Sequence, residues 1–261
     1  MSRWRREWRT LGLGSDALVG SANAEFTVLA RPGMPGAWTE DELLAALQAA
    51  LAPRPSLAGL RVAVAPELCR HWVHQPAGGL RSFGELRQTA EIRCGRLFGT
   101  GATDGWSVVA DWGLDRPFVC AALPVTLVNA LRHAGRVLKV PLRIESAVLI
   151  ALARLGVLLD RPGWLVWHTP SSIVLARGDG QRLTALRCAR HGLPRDDERL
   201  RERLMAELRH ERLTLGLADD EPVLLPSCDD AARSAWARAL WPAAGPGAAS
   251  DAAWACTAAS G

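Results

Sequence analysis

Three short extended segments, then a helix, a strand and a helix, follow one another in this chain twice. The first set opens over residues 9–31 with RTLGLG, ALVGSA and EFTVLAR, divided by turn residues, which predicts an antiparallel meander. TEDELLAALQAAL comes next. Thr39 stands three residues before Glu42 as a capping box, and Leu43, Leu44, Leu47 and Leu51 recur at helical spacing until Pro53 stops the helix. LRVAVAPELCRHWV then supplies a β-rich run ending at Pro66 and a second run beyond it.

The first half is longer than the second because it carries an αβ insertion. Ser82 and Glu85 form another capping box, opening a helix that runs to about Leu97. WSVVADW and FVCAAL read as a hairpin around GLDRP. Pro124 suits the first turn of a helix, PVTLVNALRHAG, with Gly135 as its C-cap. VLKVPLRI reads as extended, and ESAVLIALARLG is a helix apolar enough to demand burial on most sides.

After the breaker LLDRPG the pattern restarts. WLVWHTP, SSIVLARGDG and QRLTALRCA make a second meander with GDGQ as its hairpin turn. A helix over 196–215 follows, with Leu200, Leu204 and Leu208 on one face, then the strand EPVLLPSC and the helix DDAARSAWARALW. This order predicts an α/β fold of two related subdomains, residues 1–158 and a shortened 159–242, with a disordered small-residue tail over 243–261.

Composition narrows the function classes. Nearly half of the 261 residues are apolar and 22% are charged, which excludes disordered and collagen-like chains. No apolar run reaches the roughly 18 residues of a membrane span, and the arginines of MSRWRREWRT have no hydrophobic stretch behind them, so a cytoplasmic protein without a signal peptide is expected. Six cysteines are scattered without CxxC spacing, which argues against zinc and predicts buried thiols. His71 and His74, the only close pair of histidines, would point to opposite faces of a strand, and surface or edge positions suit them better than metal ligation.

The net charge of +4 is mild, and all basic residues but Lys139 are arginines, a skew of composition rather than of nucleic-acid selection. In RDDERLRERLMAELRHER they alternate with acids, as on a solvated helix, so no nucleic-acid partner is expected. SRWRREWRT is the exception: four arginines and two tryptophans suit acidic lipid or a partner, or a frayed terminus. Asp104, Asp111 and Asp115 cluster near the WSVVADW hairpin and suit turn and cap roles better than paired catalysis. No serine stands in a GxSxG elbow. Trp4, Trp8, Trp38, Trp236 and Trp241 lie near chain ends or loops, where exposed indoles would favour an interface.

The doubled element order resembles the actin-like fold of actin, Hsp70 and sugar kinases. Within that superfamily the chain is similar to the pilus-assembly PilM proteins and to the cytoplasmic part of type II secretion protein L. LRVAVAPELCRHWVHQP, the stretch from WSVVADW to ALARLG, and GWLVWHTPSSIVLARGDGQRLTALRCARHG carry the resemblance, which spans about residues 10–242. It implies a non-catalytic scaffold at the cytoplasmic face of the inner membrane, in a type IV pilus or type II secretion platform. The implied partners are a short N-terminal peptide of a bitopic membrane protein, bound in a groove of the first half, and a motor ATPase. Membrane association would then be peripheral, through the partner.

An ATP-binding member of the superfamily needs three phosphate- or adenosine-contacting motifs, and here each departs from the pattern. The first hairpin should read DxG, with backbone amides for phosphates and a carboxylate for the metal. Gly12, Gly14, Ser15 and Asp16 form a weak remnant of that loop, while Leu11 or Leu13 stands where the aspartate belongs. The second loop is WHTPSS, without acid or glycine, and Pro170 removes an amide donor. The adenosine-contacting GG after the late strand is replaced by Pro226, Ser227 and Cys228. A pseudo-ATPase without cofactor or metal is therefore expected, and Gly12, Gly14 and Gly20 read as turn glycines. The competing reading is a divergent actin-like ATPase or sugar-kinase-like enzyme with altered loops.

Overall fold

The computed structural model of the chain describes residues 7–22, 25–30, 38–51, 57–99, 105–110, 112–113, 116–155, 161–193, 198–217 and 220–224. The chain divides into two units that interleave along the sequence. One draws on the residues up to Cys69 and on Leu123–Ala153, the other on Arg70–Ala122 and Arg154–Ser227.

In the first unit, β1 (Glu7–Leu13), β2 (Ala17–Ala22) and β3 (Glu25–Ala30) form the expected antiparallel meander. β4 (Leu57–Val64) pairs parallel with β1, and β8 (Leu142–Ser146) pairs parallel with β4, giving the order β3-β2-β1-β4-β8. The alternation of LRVAV decides which face is buried. Leu60, Val62 and Val64 are fully buried, while Arg61 on the other face pairs with Glu145 at 3.2 Å. Two helices cover the apolar face, α1 (Glu40–Leu51) with Leu43 and Leu47, and α3 (Val125–Val137) with Leu127, Val128 and Leu131. Each such side chain contributes about 1.5–3 kcal/mol by leaving water. The apolar helix α4 (Ala147–Leu155) follows β8 directly and buries Ala147, Val148, Ala151 and Leu152.

The Thr39 capping box forms in full and the Ser82 one in half, because the Glu85 carboxylate accepts the Arg81 amide at 2.8 Å. The Glu42 amide donates to Thr39 Oγ1 at 3.3 Å while the Thr39 amide donates to Glu42 Oε2 at 2.9 Å, so two orphan donors at the start of α1 are satisfied. At α2 (Phe83–Phe98) the Glu85 amide donates to Ser82 Oγ at 3.2 Å.

The end of α3 differs from the sequence expectation. Gly135 lies inside the helix, which runs to Val137 with Leu138 as its C-cap and is followed by Lys139, whose φ of 53° is left-handed. The Val140 amide reaches back to the Gly135 carbonyl at 3.0 Å and the Lys139 amide to that of Arg136 at 3.2 Å, a Schellman motif with lysine where glycine is usual. Gly135 is needed for close packing instead: a Cβ there would stand 3.2 Å from that of Leu142. Consequently the extended run expected from VLKVPLRI begins only at Leu142.

The second unit holds two sheets. β5 (Arg70–His74), β7 (Phe118–Pro124) and β6 (Trp106–Ala110) lie in the order β5-β7-β6, so the two segments expected as a hairpin are neighbours. α2 packs on them through Leu86, Ala90 and Cys94 against Trp72, Val108 and Phe118. β9 (Pro162–His168), β10 (Ser172–Asp179) and β11 (Leu183–Arg190) form the second antiparallel meander, and β12 (Val223–Leu224) pairs parallel with β9. In its hairpin turn Asp179 Oδ1 accepts the amides of Gln181 and Arg182 at 2.9 and 3.0 Å, and Gly180 takes a φ of 92°. α5 (Glu198–Leu215) buries Leu200, Leu204 and Leu208 against Trp164, Val166, Ile173 and Leu175. Among the described residues no helix is long and apolar enough to cross a membrane. The helix DDAARSAWARALW and the tail lie outside the described residues.

Candidate functional site

β1 and β2 meet in the turn Gly14-Ser15-Asp16, where the sequence keeps its remnant of a phosphate loop. Leu11 and Leu13, which occupy the places expected for the metal-binding aspartate, are both fully buried in the core of the first unit, and Gly12 and Gly14 are buried beside them. Asp16 is exposed at the turn. The backbone groups of this turn are already engaged. The Gly14 amide donates to the Ala17 carbonyl at 3.0 Å, and the Gly14 carbonyl accepts the Trp38 indole N–H at 2.7 Å. The Ser15 amide, the donor a phosphate would use, points at a carboxylate: it donates to Glu67 Oε1 at 3.0 Å.

Glu67 reaches the turn because of how β4 ends. β4 runs parallel to β1 with Val64 opposite Leu13, and the Ala65 amide donates to the Leu13 carbonyl at 2.8 Å. Pro66 then starts a 3₁₀ turn, Pro66–Leu68, which places Glu67 beside the β1–β2 turn with only 5% of its surface exposed. The chain thus supplies its own anion to an amide that could otherwise bind one. A phosphate oxygen brought to within about 4 Å of that carboxylate would meet a repulsion on the order of 4 kcal/mol per pair of charges.

The β9–β10 turn, where the sequence places WHTPSS, is closed by backbone and side-chain hydrogen bonds. In the β9–β10 turn the Thr169 amide donates to the Ser172 carbonyl at 2.6 Å, and the Ser172 amide donates to Thr169 Oγ1 at 3.1 Å. Pro170 has no amide to give. His191 folds over the turn, its backbone N–H donating to the Ser171 carbonyl at 2.8 Å and its Nε2 lying 3.1 Å from the Thr169 carbonyl. The place of the third motif, residues 226–228, lies outside the described residues, as do Asp104, Asp111, Asp115, Trp4, Trp236 and Trp241.

Two expectations for single residues are corrected. Trp38 is not an exposed indole: it is 8% exposed, because its N–H finds the Gly14 carbonyl while its ring joins the first core. His71 and His74 stand on an end strand of their sheet, facing opposite ways as expected, yet both are buried. His71 Nδ1 lies 3.4 Å from Cys188 Sγ on β11, and His74 Nε2 lies 3.1 Å from Thr89 Oγ1 on α2. Burial, helped by the Arg70 charge, lowers the His71 pKa to about 3, and burial pushes the Cys188 thiol up to about 12. The pair is therefore neutral imidazole against neutral thiol, unlike the thiolate of a nucleophilic dyad. Among the described residues no three His, Cys, Asp or Glu side chains converge to hold a metal ion.

No protein-family model and no curated protein matches the chain. Solved structures do. A Bacteroides thetaiotaomicron protein of actin-like ATPase fold and unknown function is 9% identical, over 85% of this chain and 81% of that one, at a TM-score of 0.53. The chain has the actin-like fold. The PilM–PilN type IV pilus biogenesis complex matches at 16% identity over 89% of this chain and 85% of that one, with a TM-score of 0.49. The cytoplasmic domain of EpsL, an inner-membrane component of the Vibrio cholerae type II secretion system, matches at 9% identity over 69% and 71%, with a TM-score of 0.39.

Proposed function

We propose that this protein is a non-catalytic, actin-like scaffold at the cytoplasmic face of a bacterial inner membrane, in a type IV pilus or type II secretion platform. It binds a short N-terminal peptide of a bitopic membrane partner and helps couple that partner to a motor ATPase. The observation that carries the non-catalytic part is the buried Glu67 carboxylate on the Ser15 amide. The setting rests on the segment-by-segment resemblance of the sequence to PilM and secretion L proteins. A suitable edge for the peptide exists within the first unit: among the described residues β3 ends the five-stranded sheet, and Val28 on it is 40% exposed. A free edge of this kind takes an extended peptide as one more strand.

Affinity capture from a bacterial membrane extract, paired with a phosphate-release assay, tests the reading. Recovery of small bitopic pilus or secretion proteins, with no phosphate released from Mg·ATP, is the expected result. Steady ATP turnover would favour the divergent enzyme, and failure to capture any such membrane protein would contradict the scaffold.

A further inference from the structure

The C-terminal end of α3 and the start of β8 border a cleft of about 730 Å³ with a cationic rim. Arg132 and Arg136 stand one helical turn apart, Lys139 follows in the Schellman turn, and Val140 and Pro141 form an apolar floor. All three side chains are exposed, and among the described residues none of them has a hydrogen-bond or ion-pair partner. The neighbouring acids do not neutralise them. Glu40 is 3.2 Å from His133 Nδ1, and Glu145 is 3.2 Å from Arg61.

Apolar groups stand beside these charges. Val137 on the same helix end is 47% exposed. Trp8 is 39% exposed, with the Arg143 guanidinium 4.5 Å from its ring centroid. The two sets meet at Pro141: a Cβ on Gly59 would lie 2.9 Å from the Pro141 carbonyl and 2.6 Å from the Trp8 ring. The four residues that lead up to Glu7 in the sequence are Arg3, Trp4, Arg5 and Arg6. Unpaired cations alone would suit any polyanion. Cations joined to an exposed indole stacked under arginine match the headgroup layer of a membrane, where tryptophan rings settle and basic side chains meet lipid phosphates.

We propose that the face formed by the α3 C-terminus and the start of β8 docks directly on an anionic lipid surface, with Arg132, Arg136 and Lys139 on the headgroup phosphates. This contact is independent of the scaffold reading, which brings the protein to the membrane through a partner. The left-handed backbone at Lys139 sets the direction in which its side chain leaves the turn.

Co-sedimentation of the full chain with vesicles tests the proposal. The native protein should sediment with mixed phosphatidylglycerol–phosphatidylcholine vesicles, remain free with phosphatidylcholine alone, and be released as salt rises. R132Q/R136Q should weaken partitioning on the order of thirtyfold, from about 1 kcal/mol per basic residue. R201Q/R209Q, an equal loss of charge from exposed positions on α5, should leave it unchanged. Equal weakening by both double variants, no weakening by R132Q/R136Q, or equal binding to neutral vesicles overturns the proposal. A native protein that ignores anionic vesicles but binds a poly-glutamate peptide overturns it in favour of an acidic protein partner.

Discussion

Glu67, Lys139 and His71 each do something their residue type does not announce. Glu67 satisfies the Ser15 amide at 3.0 Å in a buried position, so truncating it orphans that donor. Glu67→Ala should lower unfolding free energy by about 1–3 kcal/mol in denaturant titration, while Glu67→Gln, which keeps an acceptor oxygen, should lose less. Lys139 spends the left-handed φ of 53° that glycine adopts freely, and Lys139→Gly should stabilise the fold by about 0.4–1 kcal/mol in the same titration. His71 stays neutral in the folded chain down to about pH 3, whereas the unfolded chain binds that proton near its ordinary value of 6.5. Its stabilising contribution is therefore complete above pH 6.5 and is lost as pH falls towards 3. Stability curves of His71→Leu should lack that part of the acid loss. Of these roles the sequence showed little. Thr39 and Ser82 advertise their caps through a spacing of three residues, but Glu67 lies 52 residues from Ser15, and only the β1–β4 register joins them.

Elements were legible where a local rule decides them and less so where packing does. The two meanders, the capped starts of α1 and α2 and the leucine face of α5 follow from periodicity and turn chemistry over a few residues. The end of α3 went otherwise because Gly135, a good stop signal by type, is held by its contact with Leu142, and Lys139 makes the stop. β12 shows the same dependence on distant partners. Only two residues long, it is tied to the second meander through Glu221, whose carboxylate receives Arg177 Nε at 2.9 Å and Nη2 at 2.6 Å. The Arg177 hydrogen bonds hold the Glu221 carboxyl below its ordinary value of about 4.5 and raise the Arg177 pKa in turn. Since the unfolded glutamate takes up a proton first, this contribution is present above that ordinary value and is lost as pH falls through the lower folded one. Glu221→Gln should weaken the fold at neutral pH by about 1–3 kcal/mol and flatten its acid limb, read by urea denaturation at stepped pH.

At the scale of the whole molecule, the order of elements carried the fold. A meander, helix, strand and helix, stated twice, led to the actin-like architecture without a single diagnostic motif. The grouping of residues 70–122 with the second meander was not legible, because it depends on contacts such as His71 with Cys188, 117 positions apart. The candidate site was half visible: the sequence shows Gly12 and Gly14 kept while Leu11 and Leu13 stand where an aspartate was expected, but the carboxylate that meets the Ser15 amide is a matter of three-dimensional register. On the function proposed above, the β1–β2 and β9–β10 turns are occupied from within and serve no nucleotide. Thermal melting of the native chain with increasing Mg·ATP tests it most directly. The melting temperature should stay unchanged at every concentration. A saturable rise, reaching the equivalent of about 2.7 kcal/mol at a hundred times the dissociation constant, would contradict it.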